Sequence, residues 1–378
     1  KKIRMEKIYT AMGLMSGTSG DGVDASVISS DGISDYNEVI NKYFKYDHKM
    51  YENLHNLRRK ILKFDDLKKN ENEINILERE ITLFHAKIVN EILQLTDRKI
   101  DFLGFHGQTI YHNPLEKISK QIGDGKLLSQ LTKKTVIYNF RQNDIENGGE
   151  GAPLAPLFHS LIVKKKKIEL PVCILNIGGI ANVTLISQYD DDNLLSRDLG
   201  PGNCLIDEWV RNNTKDQFDN NGDIAKKGKT NELILNQALD NFENRTYQRT
   251  LSFDIKDFSL GFVRGLNLED GAATLTDFTG TVITQEFLKL LSKEQDKSWK
   301  VLVCGGGSKN LTLLKKIQNQ LPKNFSLQNI NKFGVDGDYV ESQAFAFLAI
   351  RSFLKLPISF PSTTGCSAPC SGGEIVNF

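Results

Sequence analysis

The stretch GLMSGTSGDGVDAS, from Gly13 to Ser26, combines residue types that together can bind phosphate. Its glycines let the backbone approach a ligand without a Cβ in the way, and its hydroxyls can donate to phosphate oxygens. Asp21 and Asp24 add carboxylates of the kind that hold Mg²⁺ through its waters. An ordinary glycine-rich hairpin would use the same residues, so both interpretations stay open at this point. The stretch is not a Walker A loop, since G-x-x-x-x-G-K followed by Ser or Thr occurs nowhere in the chain.

Two further glycine turns each follow a buried apolar run. NIGGIAN places Gly178 and Gly179 between two predicted strands, and VCGGGSKN places Gly305, Gly306 and Gly307 between a predicted strand and a helix start. Backbone amides at such turns suit the phosphates of a nucleotide. The three-glycine turn does not have the G-x-G-x-x-G spacing, so a nucleotide-contacting turn is favoured over a dinucleotide site.

The segment RDLGPGN carries the candidate catalytic carboxylate. Asp198 precedes a Gly-Pro-Gly turn and a helix that is predicted to begin near Asn203. A carboxylate at a strand end that faces a cleft can act as a general base. A cap on the turn or helix explains an aspartate here as well, and the motif alone favours the cap.

Other polar side chains are candidates for sugar recognition. HGQT supplies His106, Gln108 and Thr109, which suit hydroxyl groups, although a single histidine after a strand is more often structural. Arg141 is suited to a carboxylate or phosphate, or to bridging two lobes. Glu341 stands in the first turn of an apolar helix, where the helix dipole alone favours an acid.

Hydrophobic periodicity predicts the elements that hold these residues. Apolar residues in steps of three and four predict one amphipathic helix from Ile74 to Leu95. FLGFHGQT predicts a buried strand that ends in a polar turn at 106–109, and TVIYNF predicts another strand at Thr135–Phe140. Helical patterns cover Val282–Leu291 and Tyr339–Leu354. Strands that alternate with amphipathic helices indicate α/β lobes.

The length of the chain and one glycine-rich segment predict two lobes. A chain of 378 residues exceeds what one hydrophobic core usually supports. RQNDIENGGEGAPLAP is rich in Gly and Pro, which predicts a hinge whose motion centres on Gly148–Pro156. We therefore predict an N-terminal lobe of residues 1–139 plus 354–378 and a C-terminal lobe of residues 140–353.

Composition excludes several classes of partner and site. Lys and Arg number 48 against 47 Asp and Glu, a net charge of +1, so neither nucleic acid nor an anionic membrane is expected as a partner. Five scattered cysteines do not form a disulfide framework and suit a reducing compartment. Cys366 and Cys370 resemble half a zinc site, but no further ligands lie nearby in the sequence. No apolar run suggests export or a membrane anchor, so we expect a cytoplasmic protein.

Seven motifs in one order, from Gly13 to about Gly373, resemble the motif set of the anhydro-N-acetylmuramic acid kinase family. They are GLMSGTSGDGVDA, FHGQTIYH, FRQNDIENGGEGAPLAPLFH, NIGGIANVT, DLGPGNCLIDEW, VCGGGSKN and ESQAFAFLA. The resemblance implies an actin-like fold of the sugar kinase, Hsp70 and actin type, with two lobes around an ATP cleft. It also implies a cytoplasmic enzyme of cell-wall recycling, commonly a homodimer, that opens 1,6-anhydro-N-acetylmuramic acid with water and phosphorylates O6, using ATP and Mg²⁺.

The resemblance also assigns roles to residues of this chain. The catalytic aspartate falls on Asp198, and the residues near the sugar include Thr109, Arg141 and Glu341. Asp21 is the candidate to hold Mg²⁺ through water. With the two glycine turns added, the expected ATP-binding residues are Ser16, Gly17, Thr18, Ser19, Gly20, Asp21, Gly22, Val23, Gly178, Gly179, Gly305, Gly306 and Gly307.

Two positions depart from the family pattern. The family usually has Leu where this chain has Gly20, and Asp where it has Asn139. Gly20 is expected to add about 0.5 to 1 kcal/mol to the entropic cost of ordering the phosphate turn. Asn139 removes a negative charge next to the expected sugar pocket. Both changes bear on kinetic efficiency rather than on reaction type.

Three alternative functions are kept. A kinase of the same fold that acts on another sugar would differ in its product, and a catalytically silent sugar or nucleotide sensor would not need a base such as Asp198. An NAD-binding enzyme that uses CGGGS would change absorbance with its cofactor and form no ADP.

Overall fold

The chain forms two compact units. The computed structural model describes residues 7–189, 193–246, 252–291 and 293–378. The first unit extends to Lys167 and resumes with Tyr339–Phe378, and the second is Ile168–Asp338. These boundaries differ from the predicted lobes, because residues 140–167 and 339–353 pack within the first unit.

Strands make up one sheet in each unit. Within the described residues they are β1 (Tyr9–Ser16), β2 (Gly22–Ser30), β3 (Tyr36–Lys45), β4 (Phe102–Asn113), β5 (Ile118–Ile122), β6 (Thr135–Tyr138), β7 (Val172–Ile177), β8 (Ile180–Ile186), β9 (Leu195–Pro201), β10 (Lys300–Cys304), β11 (Ser326–Asn329) and β12 (Glu374–Val376).

Helices follow or connect most of these strands. Within the same residues they are α1 (His48–Lys60), α2 (Phe64–Lys69), α3 (Glu71–Leu93), α4 (Gly125–Thr132), α5 (Gln142–Glu146), α6 (Pro156–Lys165), α7 (Cys204–Asn213), α8 (Asp223–Lys227), α9 (Glu232–Thr246), α10 (Leu268–Leu290), α11 (Leu311–Gln320), α12 (Val340–Phe353) and α13 (Pro361–Thr364). None of the described helices is both long and apolar enough to span a bilayer.

The sheet of the first unit has the strand order β12-β6-β4-β1-β2-β3, with β5 paired to β4. β1 is antiparallel to β2 and parallel to β4, and β4 is parallel to β6. Since the carboxyl ends of parallel strands meet at one edge of a sheet, the segments that follow β1 and β6 lie at the same edge as the residues of β4 beyond Phe105.

The sheet of the second unit has the order β11-β10-β7-β8-β9. β7, β10 and β11 are parallel, whereas β8 and β9 add antiparallel neighbours. The mixed sheets and their helices confirm the predicted α/β class.

Helix α12 shows how close packing decides residue type. Twelve of its residues are buried, so nearly every face of the helix is packed against other parts of the protein. It lies so close to β1 that a Cβ on Gly13 would be 1.8 Å from the carbonyl oxygen of Ser342. Only glycine fits at that position, so α12 can pack directly on β1.

Most of the predicted elements are confirmed, and two are corrected. The helical stripe from Ile74 is α3, and the pattern of Tyr339–Leu354 is α12. The predicted turn at 106–109 is wrong, because β4 continues to Asn113, where β5 pairs with it. Asp198 stands within β9 rather than at its end, since the strand continues through Pro201. The hinge role of Gly148–Pro156 stays a prediction.

Candidate functional site

The hairpin between β1 and β2 holds the first group of predicted residues. We call residues 17–21 the hairpin turn. Within this turn the N–H of Gly20 donates to the carbonyl of Gly17 at 3.2 Å, and Ser19 Oγ donates to Asp21 Oδ1 at 2.6 Å. The φ of Gly20 is +62°, a left-handed conformation that favours glycine. Gln108 of β4 donates from Nε2 to the carbonyl of Gly17 at 3.0 Å, which ties the turn to the neighbouring strand.

Asp21 offers a carboxylate at the exposed side of this turn. Carboxylate oxygen is the ligand type that Mg²⁺ prefers, and Mg²⁺ usually keeps several of its waters. Asp21 is exposed and accepts from Ser19 through Oδ1, so its chemistry fits a magnesium ion that is held through water.

A polar cluster surrounds Thr109 on β4 and β5. Gln121 Nε2 donates to Thr109 Oγ1 at 3.2 Å and to Ser119 Oγ at 2.7 Å. His112 Nδ1 lies 2.9 Å from the same Ser119 hydroxyl. Burial, with the Arg141 charge as the second cause, lowers the pKa of His112 to about 3, so this ring is neutral at physiological pH.

Arg141 is held by a buried histidine. Its Nη2 lies 2.9 Å from Nε2 of His106, and its Nη1 donates to the carbonyl of Gly151 at 2.8 Å. Because Nε2 accepts from the guanidinium, the proton of the neutral ring is on Nδ1, which lies 2.7 Å from the carbonyl oxygen of Gly107. Burial and the Arg141 charge hold the pKa of His106 well below its usual range.

The ring of Phe345 on α12 completes this cluster. It lies 4.7 Å from the His106 ring and 5.9 Å from Cζ of Arg141. Glu341 precedes Phe345 by four residues, so both residues occupy the same face of α12. The structure therefore places Arg141 beside one buried aromatic ring and one neutral histidine, and Glu341 one helical turn before that ring.

Asn139, the second departure from the family pattern, is a short distance before Arg141. Its φ is +53°, and its Nδ2 donates to Glu374 Oε1 at 2.5 Å. Asparagine is one of the few side chains that adopt a left-handed backbone readily. Its hydrogen bond joins the end of β6 to β12.

Parallel pairing brings the two glycine turns of the second unit together. Cys304 of β10 pairs with Asn176 of β7, so both turns leave the sheet at the same edge. A Cβ on Gly305 would lie 2.4 Å from Asn176 Oδ1, and one on Gly307 would lie 2.3 Å from Cγ2 of Ile177. Each glycine permits a contact that a larger residue would block.

Asp198 stands on β9, opposite Asn182 of the strand that follows the first of these turns. The carboxylate is 9% exposed, and its Oδ2 accepts from the N–H of Phe253 at 2.8 Å. Asn203, which follows the Gly-Pro-Gly segment, donates from its backbone N–H to the carbonyl of Gly178 at 2.7 Å. The expected capping role for Asp198 is wrong with respect to the helix, because α7 has Asn203 at its N-cap and no side-chain cap bond.

A group of metal-ligating side chains lies elsewhere in the first unit. Ligand atoms of Asp144, Cys366 and Cys370 all lie within 4.8 Å of one another. The Asp144 carboxylate already accepts from the hydroxyls of Ser359 and Thr364 and from the N–H of Gly151. Burial raises the pKa of the Cys370 thiol to about 12, which disfavours the thiolate that binds metal. This cluster is a hydrogen-bonded support for the segment after α5.

The predicted site residues thus form two sets, one in each unit. The first unit holds the hairpin turn with Ser16, Gly22 and Val23, together with Thr109, Arg141 and Glu341. The second unit holds Asp198 with Gly178, Gly179, Gly305, Gly306 and Gly307. Sequence analysis missed Phe253, which lies outside the seven motifs. It also missed Phe345, because its motif does not show that the ring lies against His106 and Arg141, which are distant in sequence.

Comparison with known proteins identifies the family. The model of the anhydro-N-acetylmuramic acid kinase family matches residues 9–377. The chain belongs to this family. An anhydro-N-acetylmuramic acid kinase of Pelagibacter ubique is 59% identical over 372 residues, which are 98% of this chain and 99% of the relative. One of Zymomonas mobilis is 37% identical over 373 residues, 97% of this chain and 99% of the relative.

Membership in this kinase family confirms the predicted enzyme class, a phosphotransferase with an alcohol group as acceptor. Solved structures also match over most of the chain. A ROK family glucokinase from Streptomyces griseus, in complex with glucose and AMPPNP, has a TM-score of 0.40 and 12% identity, covering 91% of this chain and 99% of that chain. Component A of (R)-2-hydroxyglutaryl-CoA dehydratase from Acidaminococcus fermentans has a TM-score of 0.44 and 10% identity, and the match covers 92% of this chain and 100% of that chain. The family assignment rests on the family model and the curated relatives.

Proposed function

We propose that this member of the anhydro-N-acetylmuramic acid kinase family opens the anhydro ring of 1,6-anhydro-N-acetylmuramic acid with water and phosphorylates O6. The products are N-acetylmuramate 6-phosphate and ADP, and the reaction belongs to the recycling of cell-wall sugars in the cytoplasm. The observation that carries the proposal is the family match over residues 9–377, because it includes Asp198 and all the glycine turns.

The reaction couples two bond changes. Water oxygen bonds to C1 of the sugar while the C1–O6 bond breaks, and O6 becomes the nucleophile that attacks the γ-phosphorus of ATP. The bond between that phosphorus and the β,γ-bridging oxygen then breaks and releases ADP. One event supplies the nucleophile for the other, which is why a base and a phosphate-binding turn serve the same reaction.

Asp198 is the proposed general base. An ionised carboxylate within hydrogen-bond reach of the attacking water can take its proton. Asp198 is nearly buried, and its Oδ2 is fixed by the N–H of Phe253, so the side chain has a defined orientation. A fixed base loses little entropy in the transition state, which supports this role.

The glycine turns are proposed to bind the phosphates of ATP. Phosphoryl transfer requires mainly positioning of the reactants and neutralisation of the phosphate charge, and backbone N–H groups supply both. In the hairpin turn and in the turns at Gly178–Gly179 and Gly305–Gly307, the N–H groups of Gly20, Gly178 and Gly305 donate to carbonyl oxygens of the protein, so the other amides of these turns are the proposed phosphate ligands. Asp21 would hold Mg²⁺ through water, and the ion would add positive charge at the β- and γ-phosphates.

Recognition of the sugar is assigned to Thr109, Arg141 and Glu341. The Thr109 hydroxyl is oriented by Gln121, and the Arg141 guanidinium is oriented by His106 and the carbonyl of Gly151. A guanidinium is suited to a carboxylate, and the lactyl group of the sugar carries one. A homodimer with no nucleic acid or membrane partner is part of the same proposal.

Isotope labelling tests the proposal directly. Purified protein is incubated with ATP, Mg²⁺ and the anhydro sugar in ¹⁸O-water, and the product is analysed by mass spectrometry. Label at C1 of a sugar 6-phosphate is the expected result. Unlabelled product kept in ¹⁸O-water for the same time controls for exchange at the anomeric carbon. Phosphorylation of ordinary open N-acetylmuramate would overturn the proposal in favour of another sugar kinase, because ring cleavage would then not supply O6.

A further inference from the structure

The end of α1 reaches the hairpin turn through one buried arginine. Arg58 lies in the last turn of α1 and is 7% exposed. Its Nη1 donates to the carbonyl of Thr18 at 2.7 Å, and its Nε donates to the carbonyl of Thr109 at 3.2 Å. A guanidinium is planar and presents its donors in a rigid fork, so one side chain fixes the hairpin turn relative to β4.

The turn leaves room for this arginine. A Cβ on Gly20 would lie 3.0 Å from Arg58 Nη1 and 2.9 Å from Cδ2 of Leu54, both closer than ordinary van der Waals contact. Gly20 therefore has a second role besides its positive φ, because its missing side chain provides the space that the guanidinium needs.

Two side-chain hydrogen bonds together fix the direction of the peptide groups in the hairpin turn. Gln108 holds the carbonyl of Gly17, and Arg58 holds the carbonyl of Thr18. In a planar trans peptide the N–H points opposite to the C=O of the same unit. The N–H groups of Thr18 and Ser19 therefore point away from Arg58 and Gln108, in the orientation that a phosphate on the other side of the turn requires.

We infer that Arg58 is a positioning residue that orients the amides of the hairpin turn for ATP and holds them in register with the strand that carries Thr109. This inference rests on the proposed function of the hairpin turn. Arg58 acts through carbonyl groups rather than on the phosphates, so the shape of its fork matters more than its charge.

The chain contains a matched control for this arrangement. Arg351 is 6% exposed, and its Nε and Nη1 also donate to two carbonyl oxygens, those of Pro357 at 2.7 Å and Gly32 at 3.0 Å. It belongs to the same unit but joins the end of α12 to the segment after β2. Arg351→Lys therefore measures how much stability is lost when a buried arginine that donates to two carbonyls is replaced away from the hairpin turn.

The experiment compares Arg58→Lys, Arg58→Met and Arg351→Lys in the full chain. Dissociation constants for a non-hydrolysable ATP analogue with Mg²⁺ are measured by calorimetry, alongside the melting temperature, KM for ATP and kcat. Arg58→Lys keeps the charge but loses the fork, so we expect its affinity to fall on the order of 10-fold, as for one charge-assisted hydrogen bond. Arg351→Lys should lower the melting temperature to a similar extent with unchanged affinity.

A second variant covers the case in which Arg58 variants do not fold. Gln108→Met removes the other tie to the turn with little change in volume, and it should weaken binding of the analogue in the same direction. An unchanged affinity in the folded variants would overturn the inference. So would normal binding by Arg58→Lys together with weak binding by Arg58→Met, since charge would then be the cause.

These outcomes are separate from a failure of the proposed function. Wild-type protein that binds the analogue but forms no N-acetylmuramate 6-phosphate would refute the assigned reaction. The comparison of analogue affinities would then still decide the role of Arg58.

Discussion

The Nε2 atom of His106 lies 2.9 Å from Nη2 and 3.2 Å from Nε of Arg141, so a neutral histidine accepts from two donors of one guanidinium. A protonated ring has no acceptor, and the low pKa of His106 that results from burial and the Arg141 charge keeps this contact intact. The histidine thereby fixes the plane in which Arg141 presents its remaining donor atoms.

Replacement of His106 should impair use of the sugar. His106→Phe removes the acceptor and leaves two guanidinium donors without it, so we expect KM for the anhydro sugar to rise by about 10-fold or more. His106→Gln retains an acceptor oxygen, so its KM for the anhydro sugar should rise less. Steady-state kinetics at saturating ATP measure the effect. If both variants showed the same rise in KM and the same fall in melting temperature, His106 would only stabilise the fold.

Asp198→Asn should abolish most turnover without unfolding the protein. Asparagine keeps an oxygen that accepts from the N–H of Phe253, but it cannot take a proton from water. We expect kcat to fall by ~10² to 10⁴ while binding of an ATP analogue is retained.

A second buried aspartate provides the control for that variant. Asp219 in the same unit also accepts from backbone N–H groups, those of Ile224 and Ala225. Asp219→Asn should keep normal turnover per folded molecule. Near-normal turnover of Asp198→Asn would refute the assignment of the base.

Gly20 allows the close packing of α1 against the hairpin turn to be tested. Gly20 and Gly148 both have a positive φ, +62° and +86°, but a Cβ on Gly148 would meet nothing within 4 Å. Alanine at either position costs roughly 1 kcal/mol for the left-handed backbone. Gly20→Ala should cost about 1 to 3 kcal/mol more, because its methyl group would collide with Leu54 and Arg58.

Urea denaturation of Gly20→Ala and Gly148→Ala measures this difference, and KM for ATP should rise in the former alone. From the sequence alone, Gly20 is expected only to raise the entropic cost of ordering the turn. Equal free energies of unfolding for the two variants would favour that interpretation and would contradict a collision of the alanine methyl group with Leu54 and Arg58.

The elements that sequence analysis predicted correctly are those whose signal is local. The period of the apolar residues identified α3, and the glycines between apolar runs identified the turns at Gly178 and Gly305. Parallel strand pairing then accounts for the proximity of these two turns.

The features that were missed depend on contacts distant in sequence. β4 continues past His106 because β5 pairs with it, and Asp198 is oriented by Phe253 rather than by its own turn. The first unit includes α12 because Gly13 lets that helix approach β1. Arg58 has no motif, since a basic residue in the last turn of a helix is common for dipole reasons alone. Such partners cannot be read from periodicity.

The stability of the first unit should depend on pH through buried histidines. His85 of α3 is fully buried against the ring of Phe105, at 4.8 Å, and burial lowers its pKa to about 4. In the unfolded chain a histidine has a pKa of about 6.5. Between these values the unfolded state binds a proton that the native state does not, so the free energy of unfolding falls as pH decreases from about 6.5 toward about 4.

His85→Phe removes this contribution and keeps an aromatic ring in the same space. We expect the variant to lose less stability than the wild type between pH 7 and pH 5, by up to about 1.4 kcal/mol per pH unit within the window. Urea denaturation at the two pH values measures the difference. Phe105→Leu is the control, because it alters the same packing without a titrating group and should lower stability equally at both values. A His85→Phe variant with the acid sensitivity of the wild type would show that this histidine is not a source of the pH dependence.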